Sequence, residues 1–415
     1  MARLTLAIGA ATALLCASIN TTAAQESAAG TPVTHCPDAG PGFIRLLDFS
    51  TCIRLGLDVT AAFADDVAKN DVHANTMRNA DGSPAVAYGT ESRTGNKHRL
   101  GGYALLRPHL SMVTPTEYGP LWIHVRPSNT SVADVSPAEV GPVFVDDAWA
   151  SMGAFTLGRR FSFFDYNPGF NHKPGYTSYR TTNVFAVTSP VTDGLSATLA
   201  LEDGSYRRRD DEVWALYRKE RLPDLVAAVH LNQAWGNAHA AVAAHGLTRE
   251  EALGCSCPDG TRELGFAGSV GAEYRQTFGT THGRIMVSGA VAEGALDYLG
   301  IPHFASDYIA DASGAIRKTK GFSAIASYEH VWLPNLRTSF SFSVYGTTSA
   351  ANDLQWRAKG QLGQVTIEVM PLPNLILGAE LNHFVDAVKV ADTASPGPLA
   401  QATIDQFLLY IRRFF

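Results

Sequence analysis

The residue types that do covalent or metal chemistry are present in this chain, but not in the spacings such chemistry needs. No G-x-S-x-G, H-E-x-x-H, phosphate-loop or dinucleotide-binding pattern occurs in a supporting context, and Ser341 has no recognisable histidine partner. The thirteen histidines are dispersed. His230, His239 and His245 fall on adjacent predicted strands, where satisfied polar histidines are commoner than ligands. No catalytic residue, metal or cofactor is therefore expected. What remains is fixed charge. Arg54 and Asp58, Arg107 and His109, His124 and Arg126, Arg160, Arg337, and Arg357 with Lys359 stand at positions that alternate with apolar or small residues. Side chains two apart share one face of a strand. If that face is wet, such charges bias which ions approach it.

The elements that would hold these charges are strands. Ile53, Leu55, Leu57, Val59, Ala61 and Phe63 alternate with Arg54, Gly56, Asp58, Thr60 and Ala62. The pattern returns at Leu195 to Glu202, at Leu336 to Val344, and at Leu354 to Gln361, where Arg357 and Lys359 fall in the polar set. Sixteen candidate strands begin near Cys52, Arg99, Tyr118, Val143, Ala154, Thr181, Gly194, Asp224, Asn237, Leu264, Gly283, Lys320, Asn335, Leu354, Leu375 and Ile404. The alanine-rich stretch Leu222 to His245 also reads as helix. Alternation of Leu225, Ala227, Val229 and Leu231 favours two strands joined at Trp235-Gly236-Asn237.

Connections after even strands are tight, as at Pro334-Asn335, while those after odd strands are mostly long and polar, as at Ala64 to His98. That asymmetry is the layout of an all-β, 16-stranded antiparallel transmembrane barrel with short periplasmic turns and long extracellular loops. A soluble sandwich gives no reason for it. Apolar positions would then face lipid and polar positions a water-filled lumen. A slip of one residue would carry every named arginine to the lipid face. Tyr217, Tyr274, Phe278, Tyr328, Trp332, Trp356, Tyr410 and Phe414 lie near strand ends and would form interfacial girdles.

The composition agrees. With 46% hydrophobic residues the chain is not disordered, and a net charge of -6 without a basic block offers no footprint for nucleic acid. The one long apolar run, Leu4 to Ala17, follows Arg3 and ends in Thr22-Ala23-Ala24, so residues 1–24 read as a cleaved secretory signal. Residues 25–50 then form an N-terminal periplasmic segment and 51–415 the barrel. Export leaves Cys36, Cys52, Cys255 and Cys257, an even set suited to disulfides. A Cys36 to Cys52 bridge would pin a Gly/Pro-rich stretch. Cys255 and Cys257 either form a strained local bridge or pair elsewhere, and the spacing lacks the C-x2-C of a zinc site.

Cys36-Pro37-Asp38-Ala39-Gly40-Pro41-Gly42-Phe43 followed by Thr51-Cys52-Ile53-Arg54-Leu55-Gly56 resembles the opening of the alphaproteobacterial general porins. Trp149 to Gly158, Leu222 to Ala228 and Gln233 to Gly236 are similar to the same family in order. The resemblance implies a homotrimeric outer-membrane porin, a passive channel for small hydrophilic solutes, with a third loop folded into the lumen. Three features depart from the family: the Cys255/Cys257 pair, the long loop from Ala64 to His98, and a third loop, Ser162 to Arg180, with one carboxylate, Asp165, against His172, Lys173 and Arg180. In the family, a basic wall faces acidic groups on that loop. Here the balance points to an eyelet less cation-preferring than usual, set by Arg54, Asp58, Arg107, Arg126, Arg160, Asp165, Arg180, Arg337, Arg357 and Lys359. The terminal aromatic Phe415, with Phe407, Leu409 and Ile411 on one face, resembles the signal read by the outer-membrane barrel assembly machinery, although Arg413 breaks that face. The alternative is an exported soluble β-protein that binds carbohydrate.

Overall fold

The structure, a computed structural model, describes residues 34–45, 50–70, 73–78, 84–89, 97–133, 139–140, 144–209, 222–248, 262–302, 305–310, 315–351, 354–392 and 399–415. The signal segment and the Cys255/Cys257 pair lie outside the described residues. Sixteen long strands form the wall. They are β1 (Cys52–Asn70), β2 (Lys97–Thr114), β3 (Leu121–Ala133), β4 (Phe144–Met152), β5 (Phe155–Phe161), β6 (Thr181–Thr192), β7 (Leu195–Glu202) and β8 (Asp224–Gln233). The second half comprises β9 (Gly236–Thr248), β10 (Arg262–Phe278), β11 (Thr281–Glu293), β12 (Lys320–Leu333), β13 (Leu336–Ala351), β14 (Leu354–Leu372), β15 (Leu375–Asp392) and β16 (Leu399–Phe414). Each pairs antiparallel with the next, and β16 pairs with β1, so the sheet closes without an edge. Phe415 completes the seam by exchanging backbone hydrogen bonds with Leu57. The alanine-rich stretch forms β8 and β9 rather than a helix.

Alternation sorts the side chains. Leu199, Phe340, Phe342, Val365, Leu381 and Leu409 stand exposed on the outer face, while Ser339, Ser341, Ser343, Gln364 and Glu380 are covered on the inner one. Closure gives the backbone of each strand partners on both sides, as lipid demands. The register between β13 and β14 runs without a shift from Leu336↔Val369 to Ala351↔Leu354. This corrects the sequence reading of Arg357 and Lys359. The sequence suggests that the apolar face changes parity within β14, but the strand contains no bulge there. Both cations therefore share the outer face of Val365 and Ile367, and Ala358 and Leu362 point inward. The girdle is corrected too. Tyr274, Phe278 and Trp332 are exposed, whereas Trp356, Tyr410 and Phe414 lie on the inward face, and Tyr217 is outside the described residues.

The interior is not uniformly wet. Many inward residues on β6 to β11 are small and apolar, among them Ala186, Ala200, Val226, Ala241, Ala267 and Ala290. They pack against Phe164, Tyr176, Leu296, Tyr298 and Leu299, which arrive on loops. Loop residues thus fill the interior beside those strands, while the inward faces of β1 to β5 carry most of the charged wall described below. At the turn end, the short strands Thr34–His35 and Ile44–Arg45 pair with each other, and the second of them pairs with the start of β1. A Cys36–Cys52 disulfide fastens this segment, and Phe43 packs edge-on against the inward Trp122, centroids 5.9 Å apart.

Candidate functional site

The loop from Ser162 to Arg180 crosses the lumen and is hydrogen-bonded to side chains of nine strands, seven of which run from β7 to β15. Ser162 Oγ and the Phe163 amide donate to Glu202 of β7 at 2.6 and 2.8 Å. Tyr166 donates to Asn237 of β9, Asn167 to Glu273 of β10, and the Phe170 amide to Ser327 of β12. The Tyr176 amide donates to Ser343 of β13. Further along, Asn171 donates to Thr366 of β14, and the amides of His172 and Lys173 donate to Glu380 of β15. The serines and carboxylates that look like channel lining in the sequence are thus the loop's mooring points. Glycine makes the approach possible. Gly169 has φ +106°, and a Cβ on Gly175 would lie 2.5 Å from Ile325 Cδ1.

The loop's charges are spent on its own fixation. Asp165 accepts from Ser178 Oγ, the Arg180 amide and Arg207, so it offers no free carboxylate to the lumen. Arg180 makes a two-point contact with Asp297 at 2.7 and 3.1 Å. Arg207 and Arg209 reach the same carboxylate at 3.6 and 3.3 Å. Burial opposes ionisation of Asp297, but the Arg180 hydrogen bonds and the charges of Arg209 and Arg207 hold its carboxyl below the usual range. His172 is stacked on Tyr410, accepts from Arg412 at Nδ1 and meets the Tyr103 hydroxyl at Nε2. Because Nδ1 accepts, Nε2 carries the proton of a neutral ring. Burial, then the charge of Arg412, lowers its pKa from the usual 6.5 to about 4.

Opposite this loop, the inward faces of β1 to β5 carry a wall of charge. Arg107 lies 4.0 Å from Asp58 and 3.9 Å from Asp146, and Arg126 lies 3.1 Å from Asp146 and against Asp147. The two consecutive aspartates both reach inward because β3 and β4 change register between Arg126 and Pro127. Pro108 and Pro127 cannot donate to the ladder, and the pairing of β2 with β3 lapses between Leu106↔Asn129 and Leu110↔Val125. Strict alternation hides Asp146 and Asp147, and the prolines were the available signal of a bulge.

Arg54 and Arg160 differ from their neighbours. Neither has a carboxylate partner among the described residues. The Arg54 guanidinium lies 4.9 Å from the Phe43 ring centre, and that of Arg160 lies 4.4 Å from Phe163 and 5.5 Å from Trp149. Together with Ser111, His124, Asp147 and Trp149 they line a niche of about 380 Å³ in the wall. Across the barrel Arg337 is neutralised by Glu368, with Glu329 at 3.9 Å. The structure therefore brings Arg54, Asp58, Arg107, Arg126 and Arg160 to one wall. It places Asp165 and Arg180 inside the loop anchor, Arg337 in a separate ion pair, and Arg357 with Lys359 outside the barrel. Among the described residues there is no cluster of three or more metal-ligating side chains. His245 bonds Asp224, and His239 bonds the Phe163 carbonyl.

Comparison with known proteins supplies the remaining finding. The sequence profile of a family described as "Porin subfamily" matches residues 50–393. No curated protein matches the sequence. Among solved structures, the outer membrane channel DcaP of Acinetobacter baumannii superposes with a TM-score of 0.64 at 15% identity, covering 88% of this chain and 98% of that one. An anion-selective porin from Comamonas acidovorans gives a TM-score of 0.48 at 12% identity, covering 88% of this chain and all (100%) of that one.

Proposed function

The chain belongs to the porin family and forms a passive outer-membrane diffusion channel, and we propose that its conducting path runs beside β1 to β5 and leans toward anions. One observation carries the lean. Among the described side chains of that wall, the carboxylates Asp58, Asp146 and Asp147 each lie within 4.0 Å of an arginine, while Arg54 and Arg160 have no carboxylate partner. The loop's single acid, Asp165, is turned to Arg207 and cannot balance them. Hydrated anions passing this wall meet two guanidinium groups that no carboxylate pairs directly, and cations are repelled by the same field.

Further parts of this reading rest on sequence. The cysteine-bracketed opening supports the alphaproteobacterial subgroup. Residues 1–24 serve as the export signal, 25–50 as the periplasmic segment and 51–415 as the barrel. Phe415, 68% exposed at the closing seam, is suited to recognition by the barrel assembly machinery. The assembled form is a homotrimer in outer-membrane lipid. No catalytic role is assigned, since Ser341 Oγ bonds Asn171 and Ser327 rather than a histidine.

The test is the reversal potential in a salt gradient for native protein and Arg160→Glu. The native channel should favour chloride, and the variant should shift toward cations by about tenfold in permeability ratio, as two charge units at a water-filled constriction imply. An unchanged potential would remove Arg160 from the path.

A further inference from the structure

Arg357 and Lys359, displaced from the lumen, do not stand alone on the outer face. Following the register around the barrel, Glu293 lies opposite Lys320, Lys320 opposite Thr348, Thr348 opposite Arg357, and Arg357 opposite Lys389. None of these four pairings shifts between this row and the apolar rows below it. The row therefore shares its face with the exposed Val291, Phe322, Phe342, Val365 and Leu381. Lys359 sits one step below, opposite Gly346 and Ala387. These residues line a groove of about 720 Å³ with a small-residue floor that includes Gly321, Ala358 and Ala387.

Two facts make this arrangement unlike ordinary rim charge. Arg357 and Lys389 are directly opposite on neighbouring strands, a like-charge pair that destabilises the sheet unless an anion lies between them. Only Lys320 has an acidic partner, Glu293 at 3.7 Å; Arg357, Lys359 and Lys389 have none among the described residues. Height gives the occupant. Lys359 is thirteen residues from Leu372 at the short turn, and Lys320 is thirteen from Leu333. At about 3.3 Å per residue and a tilt of about 40°, both stand roughly 33 Å above the turns, beyond an apolar band about 25 Å tall. Headgroups of the leaflet on the loop side occupy that level.

We propose that Lys320, Arg357, Lys359 and Lys389 form a binding site for the net-anionic, phosphate-bearing headgroup of a lipid in the leaflet on the loop side. The acyl chains run down over Phe322 and Val291, and the oxyanion bridges Arg357 and Lys389. The guanidinium of Arg357 supplies paired donors to phosphate oxygens, and the lysines supply point charge. This site is separate from the conduction path, so it holds the barrel in its lipid without altering ion flow.

The experiment titrates detergent-solubilised full-length protein with mixed micelles containing phosphatidic acid, reading bound lipid by native mass spectrometry. Inorganic phosphate and phosphatidylcholine serve as parallel probes. The variant is R357Q/K359Q/K389Q, with R357K as the conservative partner. Native protein should retain phosphatidic acid and neither control probe. The triple variant should bind on the order of a hundredfold more weakly, from roughly fivefold per cation at a membrane surface. R357K should keep most of the binding, and single-channel conductance of the triple variant should match native, which establishes that it folds. Equal lipid retention by native and triple variant overturns the proposal. So does binding of inorganic phosphate as tight as that of the lipid, because the site then reads free anion instead of a membrane component.

Discussion

Replacing Asp297 by asparagine tests how the lumen loop is held. The side chain keeps its shape but loses its charge, and three guanidinium groups lose a shared partner: Arg180 at 2.7 Å, Arg209 at 3.3 Å and Arg207 at 3.6 Å. Arg207 retains Asp165 at 3.1 Å, and Arg180 is 38% exposed, so neither is wholly stranded. Arg209 is 3% exposed and, among the described residues, keeps carbonyl acceptors alone for its guanidinium, those of Ile301 and Pro302. Removing one partner of a buried pair costs about 3 to 5 kcal/mol, and the remaining contacts place Asp297→Asn near the lower end. About 3 kcal/mol raises the fraction of undocked loop by roughly a hundredfold. Single-channel recordings should then show excursions to a larger conductance that the native channel lacks. Thermal unfolding in detergent should begin at lower temperature. Adding Arg180→Gln should restore part of the loss, since the two residues share one network. A quiet Asp297→Asn channel with native conductance and native unfolding would refute the idea that this carboxylate moors the loop.

Acidification should act on the same loop through His172. Its pKa falls from the usual 6.5 to about 4 on docking, so docking is fully favoured above pH 6.5 and weakens as pH drops. The loss reaches on the order of 3 kcal/mol near pH 4, readable as current noise that sets in across that interval and that His172→Gln abolishes. Changing Cys36 and Cys52 together to serine should lower stability by about 3 kcal/mol, the loop-closure value for a bridge of this span. It should also free Phe43 from Trp122, making the turn-side mouth accessible to a bulky thiol reagent when the reporter substitution Ser111→Cys is added. An unchanged unfolding curve and an unreactive reporter thiol would show that the segment is held without the bridge.

The strand layout was legible because each strand has a lipid side, and lipid tolerates few exceptions. All sixteen candidate strands correspond to β1 through β16, the last beginning at Leu399 rather than near Ile404. Inner-face roles were harder to read, since a serine that lines water and a serine that moors a loop look alike in sequence. Ser327, Ser343, Thr366 and Glu380 belong to the second kind. Charge assignments failed where parity alone decided them. Arg357 and Lys359 lie above the apolar band, where the outer face is no longer obliged to be apolar, so alternation carries no information about direction there. Asp146 and Asp147 escaped for the opposite reason, because a bulge beside Pro127 turns two successive residues to one side. The packed part of the interior had a faint signal, the small inward residues on β6 to β11, whose meaning depends on aromatic loop residues far away in sequence.

Reconstitution of the purified protein in a planar bilayer bears most directly on the central claim that a water-filled path beside β1 to β5 conducts passively. Stepwise, ohmic currents that rise in proportion to bulk salt, and that favour chloride over potassium, are predicted. A protein that inserts without conducting, or whose current saturates at low salt as a tightly binding carrier would, contradicts it.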